Sequence, residues 1–214
     1  MMAELIKFGG HLSRAEAKLI AEVIDEGGLL VFPTETVYGL GCAAQNDGAI
    51  ERLYRVKRRA RGKPMALHLG RGEELYRYAV VGERERRWIE RLLPGPYTLI
   101  LRASSAAPPA AVSEGKVGIR VPASQAFREV AAAAGVPLVG TSANRSGEPP
   151  AVTPEEAIDY FADVVELIIT ADEPPSGRSS AVIDLTEDPP KALRGELPES
   201  IRRSLPGLPR RSDI

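Results

Sequence analysis

Cysteine is nearly missing from this 214-residue chain, which has Cys42 alone, and histidine is limited to His11 and His68. That excludes a disulfide framework and a structural zinc site built from Cys and His. It also leaves little from which to build a Ser-His-acid triad. A lone thiol suits a reducing compartment. No stretch approaches the roughly 18 consecutive apolar residues that a membrane helix needs. The opening "MMAELIKFGGHLSRAEAK" lacks a continuous apolar run of signal-peptide length. The expectation is a cytoplasmic protein with no membrane partner. Charge of one sign is also lacking: 28 basic residues face 29 acidic ones, for a net −1. A general polyelectrolyte binder is more often basic overall, so any anion site must be local.

A hydrophobic content of 43% is enough to bury a core and suits one domain. Leu19, Ile20, Val23 and Ile24 share a helical face between a capping-box pair, Ser13 and Glu16, and a stop at Gly27 and Gly28. "LLVF" (29–32) reads as a buried strand closed by Pro33, and Asp47 is expected to cap a helix over "GAIERLYRVKR". Strands follow in "PMALHL" (64–69), "YTLILRA" (97–103), "KVGIRV" (116–121) and "PLVG" (137–140). Helices are expected over 83–93, over 124–135 and after the capping pattern of Thr153, Pro154 and Glu156. "VELII", "AVIDL" and "KALR" are further short apolar runs. Interleaved strands and helices predict a single α/β domain with a twisted, open, mixed sheet and flanking helices. It is expected to span residues 1–205, with 206–214 as a flexible tail.

Some motifs fail. "GLGCAA" from Gly39 matches a loose dinucleotide fingerprint, but "PTETVY" separates it from the preceding strand, and the region near residue 60 is basic where an acid is wanted. "GTSAN" (140–144) lacks the final glycine of a nucleophile elbow. Others survive. "RLYRVKRRARGKP" (52–64) carries seven cations and no acid. Part of that charge complements a helix C-terminus, with Lys57 and Arg61 one turn apart if the helix continues that far. Seven cations nevertheless repel one another without an anion. Arginine offers a planar fork for phosphate or carboxylate, and lysine a mobile point charge. "PTETVYG" (33–39) and "GTSANRSGEPP" (140–150) place hydroxyls and an amide in loops after strands, where α/β sheets bind ligands. Arg120 lies inside apolar "VGIRVP" and needs an anionic partner or an exposed face. These groups suit a site that positions phosphates and a carboxylate, with catalysis by orientation and charge stabilisation.

The segments "FPTETVYGLG", the K-x-R pair Lys57 and Arg59, "KPMALHL", "LLPGPYTLIL", "VGIRVP", "TSANRSGEPP", "SSAVIDL" and "LRGE", in this order and spacing, resemble the YrdC/TsaC family of threonylcarbamoyl-AMP synthases. The resemblance covers most of the chain. It implies a YrdC-like fold, in the short single-domain form, and a reaction of L-threonine, bicarbonate and ATP that yields threonylcarbamoyl-AMP and pyrophosphate. Partner proteins would then transfer the threonylcarbamoyl group to tRNA. By the same resemblance Lys57 and Arg59 are catalytic, and Arg59, Lys63, Ser142, Asn144 and Arg194 bind ATP. Thr36, His68, Arg120, Gly140 and Ser180 bind threonine, with Arg120 pairing its carboxylate. Mg²⁺ is expected to accompany the phosphates, with no protein ligand assigned to it. Three positions depart from the family pattern: Ala60 stands for a common proline, Ala181 for a hydroxyl residue, and Gly195 for the proline after the arginine. The last is expected to loosen the backbone there.

A different class is a double-stranded RNA-binding or ribosome-maturation module on the same fold, with direct RNA contact along residues 52–63. Neutral net charge and an aromatic content of 5% argue against it. Residues 172–180 are expected to order over a bound ligand.

Overall fold

The computed structural model describes residues 2–60, 62–195 and 197–203. The expected tail at 206–214 lies outside the described residues, as does Arg61. The strands are β1 (Glu4–Phe8), β2 (Leu30–Phe32), β3 (Gly39–Ala43), β4 (Ala66–His68), β5 (Ala79–Val80), β6 (Tyr97–Ala103), β7 (Val112–Ser113), β8 (Lys116–Arg120), β9 (Leu138–Ser142), β10 (Leu167–Ala171), β11 (Ala181–Asp184) and β12 (Lys191–Arg194). The helices are α1 (Arg14–Asp25), α2 (Asp47–Lys57), α3 (Leu75–Tyr78), α4 (Glu83–Leu92), α5 (Gln125–Ala134), α6 (Pro154–Phe161) and α7 (Glu199–Arg202).

All strands join one sheet in the order β1-β10-β2-β3-β9-β4-β8-β6-β11-β12, with β5 added beside β6 and β7 beside β8. Parallel pairs (β1/β10, β10/β2, β4/β8, β6/β11) mix with antiparallel ones (β2/β3, β3/β9, β4/β9, β6/β8, β11/β12). The expected α/β architecture with an open mixed sheet is borne out. Successive strand residues point to opposite faces, and both faces are covered. Leu30, Phe32, Leu167 and Ile169 pack with Ile20, Val23, Phe127 and Val130 of α1 and α5. Val31 and Ile168 point the other way, into a larger core with Leu53 of α2, Ile89 of α4 and Phe161 of α6. Strands buried on both sides read as continuous apolar runs, as in "LLVF".

The capping boxes at Ser13/Glu16 and Thr153/Glu156 are formed as expected. The cap of α2 is not. Asn46, with extended backbone, accepts from the Ala49 amide through Oδ1 (2.9 Å), and Asp47 is the first helical residue. An amide one residue earlier therefore caps the helix, and the Asp47 carboxylate sits in the first turn, where the dipole favours it. α2 also stops short of Arg61. It ends at Lys57, and Arg58 takes the left-handed conformation (φ 51°) that closes a helix C-terminus. The amides of Arg58 and Arg59 bond back to the last turn.

Candidate active site

α2 buries Ala49, Leu53 and Lys57, a stripe spaced by four residues. Lys57 thus occupies the last apolar-face position of the helix and is only 3% exposed. Its ammonium donates to the Ser142 carbonyl oxygen (2.5 Å), the Ser142 hydroxyl (3.3 Å) and Asn144 Oδ1. Asn144 in turn donates to the carbonyls of Arg145 (2.9 Å) and Glu148 (2.5 Å), which fixes its flip. The S-x-N pair and the K-x-R lysine are therefore one hydrogen-bonded unit. Ser142 closes strand β9 rather than lying in a free turn.

The left-handed turn at Arg58 leaves Arg58 exposed and sends Arg59 inward. Loop carbonyls hold the Arg59 guanidinium, Lys63 O at 3.0 Å from Nε and Pro64 O at 2.8 Å from Nη2. Elsewhere in the basic run, Arg52 pairs with Glu166 (2.7 Å), while Arg55 faces solvent. The run does not form one outward row of cations.

Cross-strand register assembles the rest. His68 of β4 stands opposite Arg120 of β8, Thr98 of β6 opposite Arg120 on the other side, Val182 of β11 opposite Thr98, and Arg194 of β12 opposite Val182. One lateral row of the sheet thus carries His68, Arg120, Thr98 and Arg194. Ser180 Oγ meets Thr98 Oγ1 (3.0 Å), and Arg194 reaches the Ser180 carbonyl (3.2 Å) and hydroxyl (3.4 Å). Arg120, 6% exposed, donates through Nη2 to Thr34 Oγ1 (3.1 Å), Glu35 Oε1 (3.0 Å) and Thr36 Oγ1 (2.6 Å).

These groups surround a cavity of about 520 Å³, in the size range of a small-molecule site. Lys57, Arg59, His68, Arg120, Gly140, Ser142, Asn144, Ser180 and Arg194 all line it. Thr36 does not; it is buried behind Arg120. Lys63 does not either: its side chain is exposed, and its carbonyl supports Arg59. The lining adds Thr98, Gly118, Lys116 and Asp184, which the sequence reading did not single out. A polar Thr98 inside "YTLIL" was a usable signal; the Lys116–Asp184 pair (2.9 Å) joins residues 68 apart in sequence and carried none.

Glycine brings the cavity floor close to its surroundings. A Cβ at Gly39 would lie 2.3 Å from Phe32, and one at Gly140 would lie 3.3 Å from both His68 Nδ1 and Phe32. Gly195 has φ +84° and approaches Ala181 to 2.8 Å from where its Cβ would stand. The expected looseness after Arg194 is replaced by close contact. Proline cannot adopt that φ, and the two departures from the family pattern at 181 and 195 touch each other.

Electrostatics follow from burial. Desolvation lowers the Lys57 pKa to about 8, helped by the charge of Arg59. Burial lowers Arg59 too, and Arg194 adds to this against an opposing effect of Tyr54. Arg120 is lowered by burial, opposed by Glu35 and assisted by Arg194. Burial, with the charge of Arg120, pushes His68 down to about 3, so its imidazole is neutral at physiological pH. His68 Nδ1 lies 3.0 Å from the Ala66 carbonyl, which only accepts, so Nδ1 bears the proton and Nε2 is the acceptor. Among the described residues, Lys57, Arg59 and Arg194 have no carboxylate partner.

The sheet thus gathers, around a shared cavity, cations without a carboxylate partner among the described residues, hydroxyls and a neutral histidine, a set of groups chemically suited to small anions. The chain belongs to the Sua5/YciO/YrdC family, whose model, described as telomere recombination, matches residues 22–195. It is 34% identical over 201 residues to a threonylcarbamoyl-AMP synthase of Pyrococcus abyssi, covering 92% of this chain and 59% of that protein. The crystal structure of P. abyssi Sua5 complexed with L-threonine superposes with a TM-score of 0.88 at 33% identity, over 96% of this chain and 61% of that one. E. coli YciO gives 0.80 at 30% identity, over 90% of this chain and 95% of that one. The chain thus spans about three fifths of the length of the Pyrococcus protein. Among the described residues no helix is long and apolar enough to cross a membrane.

Proposed function

We propose that this chain is an L-threonylcarbamoyladenylate synthase. It joins L-threonine, bicarbonate and ATP, and releases pyrophosphate and water. The observation that carries the reading is the sharing of one cavity by two kinds of cation. Among the described residues Lys57, Arg59 and Arg194 have no carboxylate partner, and Arg120 is held from behind by a threonine-rich turn. The first group suits a triphosphate. The second suits a single carboxylate beside a neutral His68 acceptor and the Ser180 hydroxyl. The P. abyssi relative crystallised with L-threonine supports the amino-acid half.

In this reading Lys57, Arg59 and Arg194, with Ser142 and Asn144, grip ATP. Arg120 takes the threonine carboxylate, His68, Ser180 and the Gly140 backbone orient the remainder, and Thr36 acts through Arg120. Lys63 reaches ATP from outside the cavity wall. Threonine's neutral amine attacks bicarbonate carbon, and water leaves to give a carbamate. A carbamate oxygen then attacks the α-phosphorus, and the α–β bridging oxygen departs with pyrophosphate. Lys57 and Arg59 stabilise the charge that builds on that leaving group. No covalent enzyme intermediate is needed. Buried Cys42, its thiol pushed up to about 12 by desolvation, takes no part.

Mg²⁺ enters as part of the substrate, metal–ATP. Asp184 on the lining is already engaged by Lys116 and Thr186, and no group of three His, Cys, Asp or Glu able to hold a metal occurs among the described residues. Phosphate oxygens would supply part of its ligand set. The product is a reactive mixed anhydride, which implies transfer proteins that carry its acyl group to tRNA.

Incubation with ATP, Mg²⁺, labelled bicarbonate and single amino acids tests this reading. Label should enter an adenylate with threonine and hardly with serine or valine. Absence of a labelled adenylate with threonine, or equal labelling with all three, contradicts it.

A further inference from the structure

The turn after β2 holds an arrangement that neither the pocket wall nor the proposed chemistry accounts for. Glu35 sits between Thr34 and Thr36 and meets Arg120 through one oxygen only, Oε1 at 3.0 Å from Nη2. Its other oxygen, Oε2, is buried without a hydrogen-bond partner, and so is Arg120 Nε. The two side chains are 22% and 7% exposed. A guanidinium and a carboxylate this deep ordinarily pair fork to fork, which satisfies both groups and offsets their desolvation. Here the two hydrogens of Nη2 face three acceptors, Thr34 Oγ1, Glu35 Oε1 and Thr36 Oγ1, while the Nε hydrogen has no partner.

The grip is itself anchored. Thr34 Oγ1 donates to the Val37 carbonyl (2.6 Å) and accepts from the amides of Thr36 and Val37. The carbonyls of Glu35 and Thr36 accept from the amides of Ser176 and Gly177 (3.0 and 2.9 Å). Glu35 is not part of the cavity lining, whereas Arg120 is, so the Glu35 carboxylate meets the cavity wall through Arg120.

We propose that Glu35 is a positioning residue for carboxylate recognition. With Thr34 and Thr36 it holds the Nη2 corner of the Arg120 guanidinium, so that the Nη1 hydrogens, which the turn does not use, are left for a substrate carboxylate. This rests on the reading of Arg120 given under the proposed function. The bond Glu35 supplies is geometric: an amide oxygen at the same place serves as well as a carboxylate, and it removes one negative charge near the incoming one.

The test is calorimetric titration of L-threonine and of metal–ATP into the wild-type chain, Glu35→Ala and Glu35→Gln. The Arg120 Nε–H signal is followed in parallel by ¹H–¹⁵N correlation spectra without ligand. Glu35→Ala should weaken threonine by about tenfold or more, the scale of one lost hydrogen bond to a charged group. Metal–ATP should stay within about twofold, and Glu35→Gln should recover most of the threonine affinity. The Arg120 signal should shift and broaden in Glu35→Ala alone. Unchanged threonine affinity in Glu35→Ala, equal weakening of both ligands, or failure of Glu35→Gln to rescue overturns the proposal. If the wild-type chain binds no threonine, the functional reading fails separately. The Arg120 signal then decides the positioning role, and an unmoved resonance in Glu35→Ala overturns it.

Discussion

Lys57 occupies a place that helix periodicity reserves for an apolar side chain, four residues after Leu53 on the buried stripe of α2. Its ammonium is kept there by Ser142 and Asn144. Desolvation brings its pKa from the ordinary 10.5 down to about 8. Below pH 8 the folded chain holds the proton and bears the whole cost of burying the charge. Between about 8 and 10.5 the folded chain releases the proton while the unfolded chain keeps it, so this residue's contribution to stability rises with pH across that window. A polyphosphate reverses the balance, because it favours the ammonium. Pyrophosphate or metal–ATP binding near pH 8 should therefore take up a fraction of a proton. Calorimetry in two buffers of different ionisation heat measures it. Lys57→Arg should abolish the uptake, and Lys57→Ala should weaken binding by about tenfold or more. Proton-neutral binding by the wild-type chain near pH 8 contradicts the account.

Among the elements, β3 shows how glycine serves packing rather than turning. Gly39 lies on a fully buried strand, and a Cβ there would stand 2.3 Å from the Phe32 ring. Phe32 packs on Phe127 and meets His68 edge-on, so displacing it disturbs the cavity floor. Gly39→Ala should cost about 1–3 kcal/mol of stability, the usual range for overpacking a filled core, read as a lowered midpoint in thermal or urea unfolding. An unchanged midpoint contradicts the packing reading. This strand was also the hardest to read from sequence. "GLGCA" has no alternation and few β-formers, because neighbours on both faces fill the space that its side chains would occupy. Two-sided runs such as "LLVF" and the two capped helices with Ser13 and Thr153 were legible because composition and local hydrogen bonding decide them. The end of α2 was not. It turns on Arg58 adopting φ 51°, a choice that tertiary contacts around Arg59 impose against intrinsic preference.

At the scale of the whole molecule, the sheet collects the site. Arg120 and Arg194 are 74 positions apart in sequence, yet the register of five strands sets them in one row with His68 and Thr98. The individual polar residues stood out in the sequence because each interrupts an apolar or structured segment. Their convergence did not, because strand order mixes distant segments and no local pattern encodes it. Glu35 was passed over for the same reason: its partner, Arg120, lies 85 residues away. The central claim is that one cavity takes a nucleoside triphosphate and an amino acid side by side. A crystal structure of the chain with a non-hydrolysable ATP analogue, Mg²⁺ and L-threonine measures this directly. The account predicts phosphate oxygens against Lys57, Arg59 and Arg194 and the threonine carboxylate on Arg120, all within the same hollow; either ligand bound elsewhere, or the two excluding each other, contradicts it.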